Sequence, residues 1–197
     1  MKLPGLSGPQ SCPHHLFPLN KRNLSTAWIG LGSNLGDSLH ILHQAWQRLG
    51  QDPAVRLQRL STCYRSRPVD MESENWFING VGELQTSLSP MELLTLLLHV
   101  EKEFGRRRDP DATTHQDRSL DLDFLLYDDL IIDEPFLQIP HPRMHSRMFV
   151  LAPLAELDPK LEHPTLHLTM TALKNNLLND PTAAVIHQVF PVADSRI

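Results

Sequence analysis

The chain reads as an α+β protein, a ferredoxin-like βαββαβ sandwich with C-terminal additions. Two segments, 38–49 and 90–104, carry apolar residues at helical spacing, and segments of strand character flank each of them. Their order (strand, helix, two strands, helix, strand) is that of a split βαβ unit, with the helices laid on one face of a sheet.

Each element has its own signal. Residues 1–23, with Pro4, Pro9, Pro13 and Pro18 among glycines, serines and polar groups, predict a poorly ordered extension. Residues 24–197 then form a single domain. Thr26-Ala27-Trp28-Ile29-Gly30-Leu31 reads as a buried strand. A turn follows over Gly32-Ser33-Asn34-Leu35-Gly36-Asp37, where Asn34 or Asp37 can cap a helix. Leu39, Leu42, Ala45, Trp46 and Leu49 define that helix across 38–49. Alternation of Val55, Leu57, Leu60 and Tyr64 predicts one strand over 55–66. Beyond a loop at 67–75, a further strand runs from Trp76-Phe77-Ile78-Asn79 to Leu84.

Ser89-Pro90-Met91-Glu92 is a helix start: serine caps, proline suits the first helical position, and Glu92 closes a capping box. That helix runs to about Phe104 and stops at Gly105. An arginine-rich loop, 106–117, leads to the strand beginning Asp121-Leu122-Asp123. Asp128-Asp129 predicts a turn and Leu130-Ile131-Ile132 a short strand. Residues 134–147 read as irregular and proline-punctuated, and 169–178 as a last helix.

Composition narrows the function. The 197 residues are 41% hydrophobic and 21% charged, ordinary for a soluble globular protein. A net charge of −5 lacks the bulk basic character of a nucleic-acid binder, so no nucleic-acid partner is expected. Cys12 and Cys63 cannot form a disulfide framework or a zinc site between them, which suits a reducing cytoplasm. No apolar run approaches the ~20 residues that span a bilayer, and the N-terminus lacks a signal-peptide apolar region. The adjacent His14 and His15 read as an incidental exposed pair rather than a metal site.

The chemistry concentrates around Arg118-Ser119-Leu120-Asp121-Leu122-Asp123. Side chains alternate along a strand, so Asp121 and Asp123 point one way while Leu120, Leu122 and Phe124 face a core. The large apolar neighbours suggest a central strand. Two adjacent carboxylates repel unless a cation sits between them, and hard oxygens suit Mg²⁺. Arg106, Arg107, Arg108 and Arg118 are either a solvated loop or a phosphate-binding set, since guanidinium groups bind phosphate bidentately. His141, fixed between two prolines, is either a ligand contact or a partner for a backbone carbonyl. Phe77 and Asn79 share one strand face, as a platform for a flat heterocycle or as core packing. Gly30-x-Gly32-x-x-x-Gly36 is one residue out of step with the dinucleotide fingerprint and reads as a tight structural turn.

Several motifs stand in order: Gly30-Leu31-Gly32-Ser33-Asn34-Leu35-Gly36-Asp37, Tyr64-Arg65-Ser66, Phe77-Ile78-Asn79, Glu101-Lys102-Glu103-Phe104-Gly105-Arg106, the Arg118–Asp123 run, Pro140-His141-Pro142-Arg143-Met144 and Phe149-Val150-Leu151-Ala152-Pro153-Leu154. In this set the chain resembles the 6-hydroxymethyl-7,8-dihydropterin pyrophosphokinase family of folate synthesis, over about residues 27–158. The resemblance implies transfer of the diphosphoryl group of ATP to the pterin's hydroxymethyl oxygen, with release of AMP. It implies a monomer using two Mg²⁺ ions, with Asp121 and Asp123 as their ligands and ATP as co-substrate. Arg108 and Arg118 would be the catalytic cations. Arg108, Arg118, His141 and Arg147 would meet the triphosphate, with Glu101 near the nucleotide pocket. Ser66 and Val69 would meet the pterin through their backbone, Phe77 and Phe149 would sandwich its ring, and Asn79 would bond its edge.

The chain departs from the pattern before Arg118. Family members commonly have Trp-Gly-Pro-Arg there, where this chain has His115-Gln116-Asp117-Arg118, after a slightly longer, more acidic loop. Arg67 replaces a proline often seen after Tyr-Arg-Ser. A non-catalytic binding module is one alternative; a Mg²⁺-dependent nuclease is another, opposed by the acidic net charge.

Overall fold

The computed structural model describes residues 24–68, 73–106, 116–180 and 189–192. The extension expected over 1–23 and most of the arginine-rich loop lie outside the described residues. In chain order the elements are β1 (Ser25–Ser33), α1 (Ser38–Leu49), β2 (Val55–Leu60), β3 (Tyr64–Ser66), β4 (Phe77–Thr86) and α2 (Pro90–Glu103). Then come β5 (Asp121–Tyr127), β6 (Ile132–Glu134), β7 (Leu137–Ile139), a 3-10 turn (Met144–Ser146), α3 (Met148–Leu157), α4 (Met170–Asn179) and β8 (Val189–Pro191). The predicted βαββαβ order holds through β5, except that its second strand is divided into β2 and β3.

Local chemistry starts α1 and α2 where the sequence predicts. Asp37, not Asn34, caps α1, its carboxylate accepting from His40 N at 3.2 Å. The capping box of α2 is complete: Ser89 N donates to Glu92 Oε2 at 2.8 Å, and Glu92 N to Ser89 Oγ at 3.4 Å. Gly105 ends the helix at φ +84°, in the left-handed region that glycine adopts without a Cβ clash.

β1 is flanked antiparallel by β4 and β5, and β4 carries β2 along one half and β3 along the other. β8 extends the sheet beyond β3, while β6 and β7 form a separate hairpin. Alternation along β1 feeds two cores. Ala27, Ile29 and Leu31 join Leu122 and Phe124 under α1 and α2. Trp28 joins Val81, Leu125 and Leu126 under α3 and α4. The C-terminal additions thus cover part of the sheet face opposite α1 and α2. Among the described residues no helix is long and apolar enough to cross a membrane.

Four local expectations change. The strand expected over 55–66 is two strands. Ser61 Oγ accepts from Val81 N at 3.0 Å, and Thr62 N donates to Glu156 Oε1 on α3 at 3.0 Å. Side chains thereby take over hydrogen bonds that a continuous ladder would make. The strand of Asp121 is not central but an edge, paired with β1 alone. Its apolar residues record cover from both helical layers rather than a place inside the sheet. The short strand after the turn lies at Ile132–Glu134 instead of 130–132, paired with β7 inside the segment read as irregular. Finally, α3 has no sequence counterpart: Pro153 sits inside it and six of its ten residues are buried, so proline and unbroken hydrophobicity hide its period.

Candidate active site

Gly30 lies in β1 as predicted, and β1 also takes in Gly32, where the turn was expected to begin; of the three motif glycines only Gly36 has positive φ, at +72°. Both sit on the face away from α1 and α2. A Cβ at Gly32 would come 3.1 Å from Asn79 Oδ1, and one at Gly30 would come 3.4 Å from Asp123 Cβ. The bare strand therefore lets side chains from β4 and β5 lean over it. The result is a cleft lined by Phe77 and Asn79 on one side, Asp121 and Asp123 on the other, and Arg118, Arg147 and Phe149 around them.

Asp121 and Asp123 share that cleft while Leu122 and Phe124 are buried in the opposite core, as the alternation predicts. Arg118 Nη2 lies 2.8 Å from Asp121 Oδ2. Arg106 Nη1 bridges Asp121 Oδ1 and Glu101 Oε1. Burial pushes the Asp121 carboxyl up, but the charges of Arg118 and Arg106 prevail and hold it below the usual carboxylate range. Asp123 is different. Its contacts are longer, 3.5 Å to Arg147 Nη1 and 3.9 Å to His141 Nε2. Burial, reinforced by the charge of Asp121, raises its carboxyl above the usual range. The pair is thus unequal: one carboxylate is neutralised by arginines, and its neighbour carries charge at a cost.

His141 is oriented by backbone. Its N donates to Leu125 O at 2.9 Å, and Arg143 N donates to its Nδ1 at 3.1 Å, which leaves Nε2 directed toward Asp123. Burial lowers its pKa; Asp123 opposes this, and Arg147 and Arg143 reinforce it. Arg118 is held by Asn34, whose Oδ1 accepts from Arg118 N at 2.8 Å and whose N donates to Arg118 O at 3.1 Å. Arg118 Nε is buried with no hydrogen-bond partner among the described residues.

On the aromatic side, Asn79 Nδ2 donates to Ser66 Oγ at 2.9 Å, with both residues buried. The Arg118 guanidinium stands 5.4 Å from the Phe77 ring centroid, and that of Arg147 stands 5.4 Å from Phe149. Phe149 reaches the cleft from α3, across the sheet from nothing that local sequence could place beside Phe77.

The structure therefore gathers Arg118, Asp121, Asp123, Arg147, Ser66, Phe77, Asn79 and Phe149 along one cleft, with His141 beside Asp123. Glu101 is turned away from it, 2% exposed, accepting from Leu122 N at 2.8 Å and from Arg106. Arg108 and Val69 lie outside the described residues. Arg106, named in the sequence only as one of a possible phosphate-binding set, reaches Asp121 beside Arg118. The signal was its place directly after Gly105, which makes it the arginine nearest the end of α2. Arg67 also lines the cleft.

An antiparallel sandwich whose open sheet face joins a carboxylate pair, several guanidiniums and two aromatic rings is a small-molecule site suited to a phosphorylated ligand beside a flat one. The model of the 7,8-dihydro-6-hydroxymethylpterin-pyrophosphokinase family matches residues 28–159, and the chain belongs to that family. The 2-amino-4-hydroxy-6-hydroxymethyldihydropteridine pyrophosphokinase of Bacillus subtilis is 43% identical over 136 residues, covering 69% of this chain and 80% of the relative. That of Aquifex aeolicus is 36% identical over 141 residues, covering 72% and 85%. Among solved structures, Plasmodium falciparum HPPK-DHPS with pteroate superposes with a TM-score of 0.66 at 14% identity, over 84% of this chain and 47% of that one. At that identity the likeness shows the fold, and the chain spans about half the length of that protein.

Proposed function

We propose that the protein transfers the diphosphoryl group of ATP to the hydroxymethyl oxygen of 6-hydroxymethyl-7,8-dihydropterin, giving the pterin diphosphate and AMP in folate biosynthesis. The observation that carries this reading is the single cleft, in a chain of the pyrophosphokinase family, that joins paired carboxylates and arginines to Phe77, Phe149 and Asn79. In this reading Phe77 and Phe149 hold the pterin ring between them, and Asn79, Ser66 and Val69 bond its polar edge. The guanidiniums of Arg118 and Arg147 stand over those two rings, so a ring that stacks there turns them toward phosphate. Arg118, Arg147 and His141 then bind the triphosphate, with Arg108 as a further cation and Glu101 bracing Arg106 beside the nucleotide.

The donor set fits Mg²⁺. Asp121 and Asp123 offer hard oxygens on one face, and the raised Asp123 carboxyl marks a place where added positive charge would relieve repulsion. Among the described residues no three acidic, histidine or cysteine side chains converge as a metal cage, so water and phosphate oxygens would complete the shell. Asp121 and Asp123 would hold one or two Mg²⁺ ions, whose charge would offset that of the phosphates. The hydroxymethyl oxygen attacks the β-phosphorus, the bond from that phosphorus to the bridging oxygen of AMP breaks, AMP leaves with that oxygen, and the hydroxyl proton passes to solvent water. Such transfer depends on positioning and electrostatics, and no side chain here needs to act as a strong base. The same reading has the protein act as a cytoplasmic monomer without nucleic-acid or membrane partners.

The test is nucleotide analysis with purified protein: AMP forms from ATP only when the pterin and Mg²⁺ are both present. ADP in its place overturns the reaction. Pterin and a nonhydrolysable ATP analogue binding without turnover would make the protein a binding module.

A further inference from the structure

Asp117 is exposed, yet its carboxylate gathers two segments far apart in sequence. Asn34 Nδ2 donates to Oδ1 at 2.6 Å and Asn75 Nδ2 to Oδ2 at 2.8 Å. Hydrogen bonds from Ser73 first, then from Asn34 and Asn75, outweigh burial and hold its carboxyl below the usual range, aided by the charge of Arg118. The Asn34 amide is not free to turn, because its Oδ1 accepts from Arg118 N. Asn75 is the second residue before Phe77, and Trp76 between them carries the guanidinium of Arg65 at 4.3 Å. One carboxylate thus ties the turn that holds Arg118 to the segment that delivers Phe77.

The chemistry asks for this residue type. A carboxylate offers acceptors on both oxygens and no donor, which matches two amide NH₂ groups and a hydroxyl. Asparagine at 117 would present its own NH₂ to one of the two amides. We propose that Asp117 is a positioning residue, whose carboxylate latches segment 73–76 to the Asn34–Arg118 turn and sets the spacing between the Phe77 and Arg118 sides of the cleft. Its kinetic consequence rests on the pyrophosphokinase reading; the latch itself does not.

Two measurements test it on the full-length protein: amide hydrogen exchange without ligands, and steady-state kinetics. With Asp117→Ala, exchange at 73–77 speeds up about five-fold, the scale of one net hydrogen bond lost at an exposed site, while β1 and β5 keep wild-type protection. Asp117→Asn falls between Asp117→Ala and wild type. KM for the pterin rises about five-fold while KM for ATP stays within about two-fold. Asn75→Ala reproduces the exchange effect, and the double variant is no worse than either single, since both remove one link. Unchanged exchange at 73–77, or additive effects of the two substitutions, overturns the latch. If the wild type forms no AMP, the pyrophosphokinase reading fails and the exchange result still decides the latch.

Discussion

In the cleft, Asp121 is bracketed by Arg118 and Arg106, whereas Asp123 has Arg147 at 3.5 Å and the His141 imidazole at 3.9 Å. The two positions therefore respond differently to substitution. Asp123→Ala removes the carboxylate whose charge burial and Asp121 penalise, so the fold should hold or gain slightly in thermal stability. Activity should fall by a factor of about 100 or more, since positioning and electrostatics carry this chemistry. A melting curve beside an AMP assay over a Mg²⁺ titration checks both; normal turnover would remove Asp123 from the metal site. At this scale the sequence was legible where alternation decides: D-x-D places both carboxylates on one face whatever surrounds them. It was not legible that Arg106 meets Asp121, because that depends on where α2 stops and how Gly105 turns the chain at φ +84°.

Elements repeat the contrast. The α1 and α2 boundaries follow from Asp37, Ser89, Glu92 and Gly105, which act on their own backbone neighbours. How α1 sits on the sheet depends on a distant residue. A Cβ at Gly82 of β4 would lie 2.3 Å from Trp46 Cζ3, so the indole packs where any other side chain would stand. Gly82→Ala should destabilise by about 1–3 kcal/mol, the usual cost of overpacking a core, measured by urea denaturation. A neutral result would mean that Trp46 repacks freely. The break between β2 and β3 belongs here too. Glu156 of α3 accepts from Thr62 N and Oγ1 and from Tyr64 OH at 2.9–3.0 Å, a bond set spanning more than ninety residues that no local pattern announces.

For the whole molecule, two groups away from the cleft contribute to the pH dependence of stability. His163 is buried, and Thr165 N and Leu166 N donate to its Nδ1, each at 3.4 Å. Burial, with the nearby His145, lowers its pKa below the ordinary imidazole value. As pH falls below about 6.5 the unfolded chain takes up a proton before the folded one does, so stability is full above that pH and declines beneath it. Tyr64 acts at the other end. Burial and then its hydrogen bond and charge interaction with Glu156 push its hydroxyl up to about 12. The unfolded chain loses that proton from about pH 10, so the folded state loses stability between about 10 and 12. Unfolding free energies measured across pH should show both slopes. His163→Gln should flatten the acid slope and Tyr64→Phe the alkaline one, and an unchanged slope in either variant removes that assignment.

By itself the sequence determined the βαββαβ order, the helix starts and the face shared by Asp121 and Asp123, because periodicity and capping act within a few residues. Its ordered motifs also carried the family resemblance, which the match over residues 28–159 bears out. The tertiary structure decided the rest. It placed β5 at the sheet edge, folded α3 despite Pro153, and brought Phe149 to the cleft that holds Phe77. It also joined Asn34, Asn75 and Asp117 around Arg118. These are contacts between segments tens of residues apart, set by how layers pack and where bare glycines leave room, and no local pattern along a chain encodes that distance.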